Sequence, residues 1–234
     1  METSVDLLAF GPHPDDLEIG LGGTLAKHAA LGQSVGLCDL TRGEMASNGT
    51  VEERLAEAEA ARRVLGAAWR KNLALPDRAL GSSPEHARRV AELIRACRPR
   101  VVAVPYWQDR HPDHLAAFTL LREAIFNAKL RKYDAGGDPW QPDWICFYFI
   151  NDSAVPSFVV DVSEYYDIKR KALQCYRSQF VRATGAAETR LNSPAFNQLI
   201  ESRDAHFGAL AGVRYAEGIV TTEPVVRAGL LKQS

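Results

Sequence analysis

The stretch Val5–Leu31, VDLLAFGPHPDDLEIGLGGTLAKHAAL, is a strand, a stiff turn and a helix in 27 residues. Val5 to Gly11 is a short apolar run of the kind that forms a strand buried on both faces. Pro12 and Pro14 end it and restrict the backbone between them. Leu17 to Leu31 carries the apolar spacing of a helix. Working outward, the same alternation repeats. Ser34–Thr41 reads as a second strand, Val51–Leu65 as a helix and Lys71–Leu75 as a short third strand. Ser83–Cys97 reads as a helix, with Ser83-Pro84 as cap and first turn. Arg100–Pro105 is a fourth strand, and a helix runs from about Asp113 to Lys129. Strands alternating with helices of this length make βαβ units, and right-handed crossovers then give a doubly wound order. The expected class is α/β: a Rossmann-like, mostly parallel sheet with helices on both faces.

After Tyr133 the pattern changes. Residues 134–139 form a turn-rich connector, Trp144–Ile150 and Ser157–Val162 read as strands paired as an edge hairpin, and a helix runs from Ser163 to about Tyr176. Beyond Phe180 the pattern is less regular. No linker or repeat divides the 234 residues, so a single domain is expected, with a core over 1–132 and edge strands, a helix and a pocket-closing region over 133–234.

The 28 Lys and Arg nearly cancel the 29 Asp and Glu, which argues against nucleic-acid binding through bulk positive charge. The four cysteines, Cys38, Cys97, Cys146 and Cys175, lie far apart, as expected of buried thiols in a reducing compartment. The first residues lack a basic segment before their apolar run, and no stretch reaches the roughly 18 apolar residues of a membrane span. A cytoplasmic protein without a membrane partner is expected.

Chemistry concentrates in two motifs. Gly11-Pro12-His13-Pro14-Asp15-Asp16 follows the first strand, and Arg110-His111-Pro112-Asp113-His114 follows the fourth. In the strand order 3-2-1-4-5 these two strands are neighbours, and the crevice at their carboxyl ends is where such folds bind ligands. Imidazole and carboxylate together suit zinc, and a catalytic site takes three protein ligands and a water. The six candidates His13, Asp15, Asp16, His111, Asp113 and His114 exceed three, leaving an acid or base beside the ion. Adjacent Asp15 and Asp16 do not easily share one ion, so one is a ligand and the other is free to take the water's proton. Taken singly, Asp16 and Asp113 each read better as a helix cap than as a ligand. Gly20-Leu21-Gly22-Gly23, with Asp39 closing the second strand, offers a dinucleotide-binding alternative. Leu25 breaks the glycine spacing, the glycines fall inside the helix, and Asp15 and Asp16 would repel a pyrophosphate. These glycines are read as close helix–sheet packing.

The two motifs resemble those of the PIG-L/LmbE-like family of zinc-dependent N-acetylglucosaminyl deacetylases. Thr41-Arg42-Gly43-Glu44 and Tyr215-Ala216-Glu217-Gly218 extend the likeness. Arg110 to His114, the segment Phe147 to Asp152 and the segment Tyr176 to Phe180 look closest to the bacillithiol-biosynthesis deacetylases. The resemblance implies His13, Asp16 and His114 as ligands of Zn²⁺, for which Fe²⁺ or Co²⁺ is a chemical alternative. It implies Asp15 as general base, His111 as oxyanion stabiliser or proton donor, and Asp113 as the carboxylate that orients and charges His111. Some relatives carry a Tyr two residues before His111, where this chain has Asp109, so that role is not carried over.

The implied substrate is a small N-acetyl amino sugar, in the nearest subfamily the glucosaminide of malate, and the implied assembly is a homo-oligomer, as large as a hexamer. Malate has two carboxylates, which Arg54 and Arg110 suit. Glu44 and Arg42 are candidates for sugar hydroxyls, Tyr215 and Glu217 for closing the pocket, and Trp107 for stacking on a sugar face. Two other readings stand beside deacetylation: a non-catalytic sugar- or nucleotide-binding protein of the same fold, and a metal-dependent hydrolase of another bond, such as a phosphoester.

Overall fold

The computed structural model describes residues 4–226. In it β1 (Leu7–Gly11), β2 (Val35–Thr41), β3 (Trp69–Leu75) and β4 (Val101–Pro105) alternate with α1 (Asp16–Ala30), α2 (Val51–Leu65) and α3 (Pro84–Cys97). There follow α4 (Pro112–Ala128), β5 (Trp144–Tyr148), β6 (Phe158–Asp161), α5 (Tyr166–Cys175), the single turn α6 (Arg177–Phe180), α7 (Pro194–Ala211) and β7 (Ala216–Val220). The strands form one sheet in the order β3-β2-β1-β4-β5-β7-β6. β3 to β5 are parallel, in the expected arrangement, and β7 runs antiparallel to both its neighbours.

Local chemistry sets the helix ends. Thr50 and Glu53 make a reciprocal capping box at the start of α2, and Gly66 ends it in the left-handed conformation at φ 73°. Ser83-Pro84 and Ser193-Pro194 open α3 and α7 in the same way, with each serine side chain accepting a backbone N–H. Two apolar layers sandwich the sheet. Leu17, Leu25, Ala61 and Ala172 from α1, α2 and α5 pack in one, and Val90, Ile94, Leu121 and Ala124 from α3 and α4 in the other.

The glycines of α1 are packing residues, as expected. A Cβ on Gly20 would stand 2.6 Å from the Phe149 carbonyl oxygen, and one on Gly23 2.6 Å from Val162 Cβ. Asp39 is also accounted for. Arg70 grips it with two bonds of 2.7 Å and reaches Glu18 at 2.6 Å, tying β2 and β3 to α1.

Two expectations fail. Beyond Phe180 the chain forms the long helix α7 and the fully buried strand β7. The expected β5–β6 hairpin does not form either, because β7 lies between the two. Burial explains the order: all five residues of β7 are buried, as suits an inner strand, whereas none of the four in β6 is. The sequence of β7 disguised it, since Glu217 and Gly218 interrupt the apolar pattern. Glu217 is tolerated because Lys169 Nζ donates to it at 2.7 Å and the Gly23 and Thr24 amides at 3.0 and 2.7 Å. Gly218 is required because a Cβ there would lie 2.7 Å from the Phe207 ring.

Candidate metal centre and active site

The carboxyl ends of β1 and β4 carry the two motifs into one crevice, lined also by Met45, Ala46 and Ser47 after β2, Asp77 and Arg78 after β3, and Thr189, Arg190 and Leu191 before α7. The crevice encloses about 430 Å³. A larger cleft of about 650 Å³ lies among α5, α6 and α7, but its Arg170 and Glu201 pair with one another. Size does not pick the site. The chemistry does.

Asp15 is the N-cap of α1 and sits at φ 113°, a strained position for a residue with a side chain. Its carboxylate makes no cap bond and instead accepts from Arg54 Nη2 at 2.8 Å. Asp16, one residue on, turns to the histidines. Its Oδ2 lies 3.0 Å from His13 Nδ1 and 3.3 Å from His114 Nε2, and also accepts the His13 amide at 2.9 Å. Neither Asp16 nor Asp113 acts as a side-chain cap: the N-cap of α4 is His111, whose Nδ1 accepts the Asp113 N–H at 3.2 Å.

These separations fit a small divalent ion. Bonds of about 2.0–2.1 Å at tetrahedral angles place ligand atoms about 3.3 Å apart. Asp16 Oδ2 approaches that spacing from both His13 Nδ1 and His114 Nε2. Among the described residues, ring nitrogens of His13, His111 and His114 also fall within 4.8 Å of one another, as do ligand atoms of His13, Asp77 and Asp113; His111 is half-buried. A ligand set centred on Asp16 leaves His111 free in the same crevice wall.

The protonation balance points the same way. Burial opposes charge on His114, but Asp16 and Asp109 outweigh it and lift the ring to about 9. Burial likewise works against charge on His13, and Asp113, Asp16 and Asp77 raise it well above the ordinary imidazole value. Asp16 is held well below the carboxylate range by His114 and His13, against burial. Positive charge belongs here, and a divalent ion supplies it by displacing protons from the two rings. Binding should therefore release protons, with apparent Zn²⁺ affinity falling as the pH drops below about 9. Competition against a chromogenic chelator at pH 9 and pH 6 checks this, and equal affinity at the two pH values would contradict it.

Burial pushes the Asp15 carboxyl up to about 7, against the lowering influence of Arg54. A base poised there can exchange a proton near neutrality. Burial, then His114 and His13, lower His111. With the Asp113 amide donating to Nδ1, the neutral ring carries its proton on Nε2 and acts as a donor. The Asp113 carboxylate favours charge on His111, accepts from the Arg78 amide at 2.9 Å and Arg78 Nη1 at 3.1 Å, and lies 3.4 Å from His13 Nε2.

The other expected residues divide. Arg54 stands in the crevice wall, but its guanidinium is engaged by Asp15 and by the Pro14 and Gly43 carbonyls, so it braces the Asp15 turn. Arg110 lines the crevice with an exposed side chain. Glu44 is not among the lining residues. It accepts the Arg42 and Asp77 amides and pins the loop after β2. Tyr215 also lies outside the crevice wall, stacked on Tyr166 at 3.8 Å and hydrogen-bonded to Glu201. Trp107 packs on Tyr106, Phe118 and Phe147. Sequence reasoning missed Asp77, Arg78, Asp109, Asn151, Gln179 and Arg190. A signal existed for Asp77, which follows the third strand as Asp15 follows the first, and for Asp109, two residues ahead of His111.

Residues 8–125, which span both motifs, match the PIG-L family, described as GlcNAc-PI de-N-acetylase. The chain belongs to the PIG-L family. It is 30% identical over 228 residues to the diacetylchitobiose deacetylase of Thermococcus kodakarensis, a match covering 91% of this chain and 81% of that protein. It is 26% identical over 280 residues to a 1D-myo-inositol 2-acetamido-2-deoxy-alpha-D-glucopyranoside deacetylase of Rhodococcus jostii, covering 91% and 94%. Among solved structures, the conserved protein TT1542 from Thermus thermophilus has the same fold, with a TM-score of 0.89 and 41% identity over 98% of this chain and all of that one. The PIG-L match contains every residue of the His13–Asp16–His114 trio. It leaves out α7, β7 and the loop that carries Arg190, so that wall of the crevice is specified outside the family segment.

Proposed function

We propose that this protein is a metal-dependent hydrolase that removes the acetyl group from an N-acetylglucosaminide, with N-acetylglucosaminyl-malate as the candidate substrate. The observation that carries the reading is the strained Asp15 carboxylate, held by Arg54 beside the His13–Asp16–His114 trio. Zn²⁺ bound by that trio would polarise the acetyl carbonyl and acidify water. Asp15 accepts the proton of the attacking water, and Arg54 aims its carboxylate and favours the ionised form against burial. His111 donates from Nε2 to the oxygen that gains charge as the tetrahedral carbon forms. The proton on Asp15 then passes to the sugar nitrogen as the C–N bond breaks, so amide and water leave as acetate and free amine.

An anionic aglycone is supported by two guanidinium groups in the crevice wall. Arg110 is exposed, and Arg190 lies over the Phe196 ring at 5.3 Å; neither has a carboxylate partner among the described residues. Arginine suits the paired carboxylates of malate.

Amine release from N-acetylglucosaminyl-malate, diacetylchitobiose and N-acetylglucosamine, with and without a chelator, tests the proposal. Chelator-sensitive release that is fastest with the malate glucoside is expected. Folded, zinc-loaded protein that releases amine from none of the three would leave a sugar-binding protein as the better reading.

A further inference from the structure

Each histidine of the trio has a second ring nitrogen, and each of these meets a carboxylate outside the trio. His114 Nδ1 lies 3.0 Å from Asp109 Oδ1, and His13 Nε2 lies 3.3 Å from Asp77 Oδ1 and 3.4 Å from Asp113 Oδ2. All three carboxylates are nearly sealed from solvent, with side chains 3–5% exposed. A carboxylate can only accept, so these contacts place a proton on His114 Nδ1 and on His13 Nε2. By the same rule the opposite nitrogens, His114 Nε2 and His13 Nδ1, carry protons toward Asp16 Oδ2 in the metal-free protein, and these are the protons an incoming ion displaces.

We infer that Asp77 and Asp109 are positioning residues that hold the ring planes of the two histidines and keep the proton on each outer nitrogen when an ion displaces the inner one. The inference rests on the metal-centre reading and goes beyond it, because neither residue belongs to the trio or to the acid–base pair.

The surroundings of both carboxylates suit that role. Asp109 is held rigidly, accepting the His111 amide at 2.8 Å, the Asn151 amide at 2.9 Å and Asn151 Nδ2 at 3.1 Å. One residue thereby sets the His114 ring and the backbone at the start of α4. Asp77 uses its other oxygen to accept the Met45 amide at 3.0 Å, so the end of β3 and the loop after β2 together aim it at His13. Asp113 shares that nitrogen but is balanced by Arg78, which leaves Asp77 as the carboxylate without a guanidinium partner. Such outer partners commonly change metal affinity by about 10–100-fold when removed.

The test is Zn²⁺ affinity of the full chain by chelator competition, together with the visible spectrum of the Co²⁺-substituted protein. Asp109→Ala and Asp77→Ala should each weaken Zn²⁺ by about 10–100-fold and alter the Co²⁺ bands. Asp109→Asn and Asp77→Asn keep an acceptor oxygen and should recover part of the loss, and they serve if an alanine variant does not fold. Glu85→Ala removes an exposed carboxylate of α3 that pairs with Arg88 and does not line the crevice, and should leave Zn²⁺ affinity unchanged. Affinities within twofold of the unmodified chain, with unchanged Co²⁺ bands, would overturn the inference. An equal loss in Glu85→Ala and Asp77→Ala would overturn it for Asp77, by showing that the loss does not depend on the contact with His13. An unmodified chain that binds no stoichiometric Zn²⁺ would overturn the metal centre itself, and the positioning role with it.

Discussion

Asp15→Asn is expected to lower kcat by about two to four orders of magnitude while the metal stays bound. The amide is nearly the same size as the carboxylate, so the strained turn and the oxygen facing Arg54 Nη2 can both persist. What disappears is the capacity to take a proton from water. Because Asp15 is engaged by Arg54 and not by the trio, Zn²⁺ stoichiometry and substrate KM should change little. Asp16→Ala makes the contrast, since it removes the oxygen between His13 and His114 and should lose the metal along with activity. Steady-state kinetics with metal analysis of the same samples separates the two. A zinc-replete Asp15→Asn protein working at the normal rate would remove Asp15 from the chemistry.

Arg70→Met is expected to destabilise the fold by about 3–5 kcal/mol. The Arg70 side chain is 4% exposed and neutralises Asp39 and Glu18, which are 1% and 0% exposed. One Glu18 oxygen already lacks a hydrogen-bond partner. Methionine fills much of the volume but leaves two carboxylates facing each other in a sealed layer. The cost comes from that uncompensated charge, more than from losing a favourable pair. For a domain of this size, each kcal/mol moves the melting temperature by roughly 2–4 °C, so a drop of about 6–20 °C should appear in a thermal melt. Adding Asp39→Asn to Arg70→Met should recover part of it. A melt within a degree of the parent would show that the cluster contributes no net stability. Glu18 stands in the first turn of α1, beside Asp15 and Asp16, so the same variant should also weaken metal binding.

The two halves of the chain announce themselves differently. The β1–β4 half has short apolar strands, helices with Ser, Thr and Gly caps, and two motifs rich in His and Asp. Each signal is local, so the strand order and the meeting of the motifs follow from period and topology alone. The second half carries weaker signals. Ser193-Pro194 and Gly212 bracket α7 just as Ser83-Pro84 opens α3, but β7 hid behind a charged residue and a glycine that only distant partners make acceptable.

By itself the sequence determined the doubly wound core and the convergence of His13, Asp15, Asp16, His111, Asp113 and His114, because both depend on spacing along one chain. Only the tertiary structure decided which atom of each faces which. It set the Asp113 carboxylate against His13 and Arg78, engaged Arg54 with Asp15, placed Glu44 and Tyr215 outside the crevice wall, and brought Asp77 and Asp109 behind the histidines. Those assignments depend on side-chain directions and on contacts between residues far apart in the chain. No local pattern encodes them.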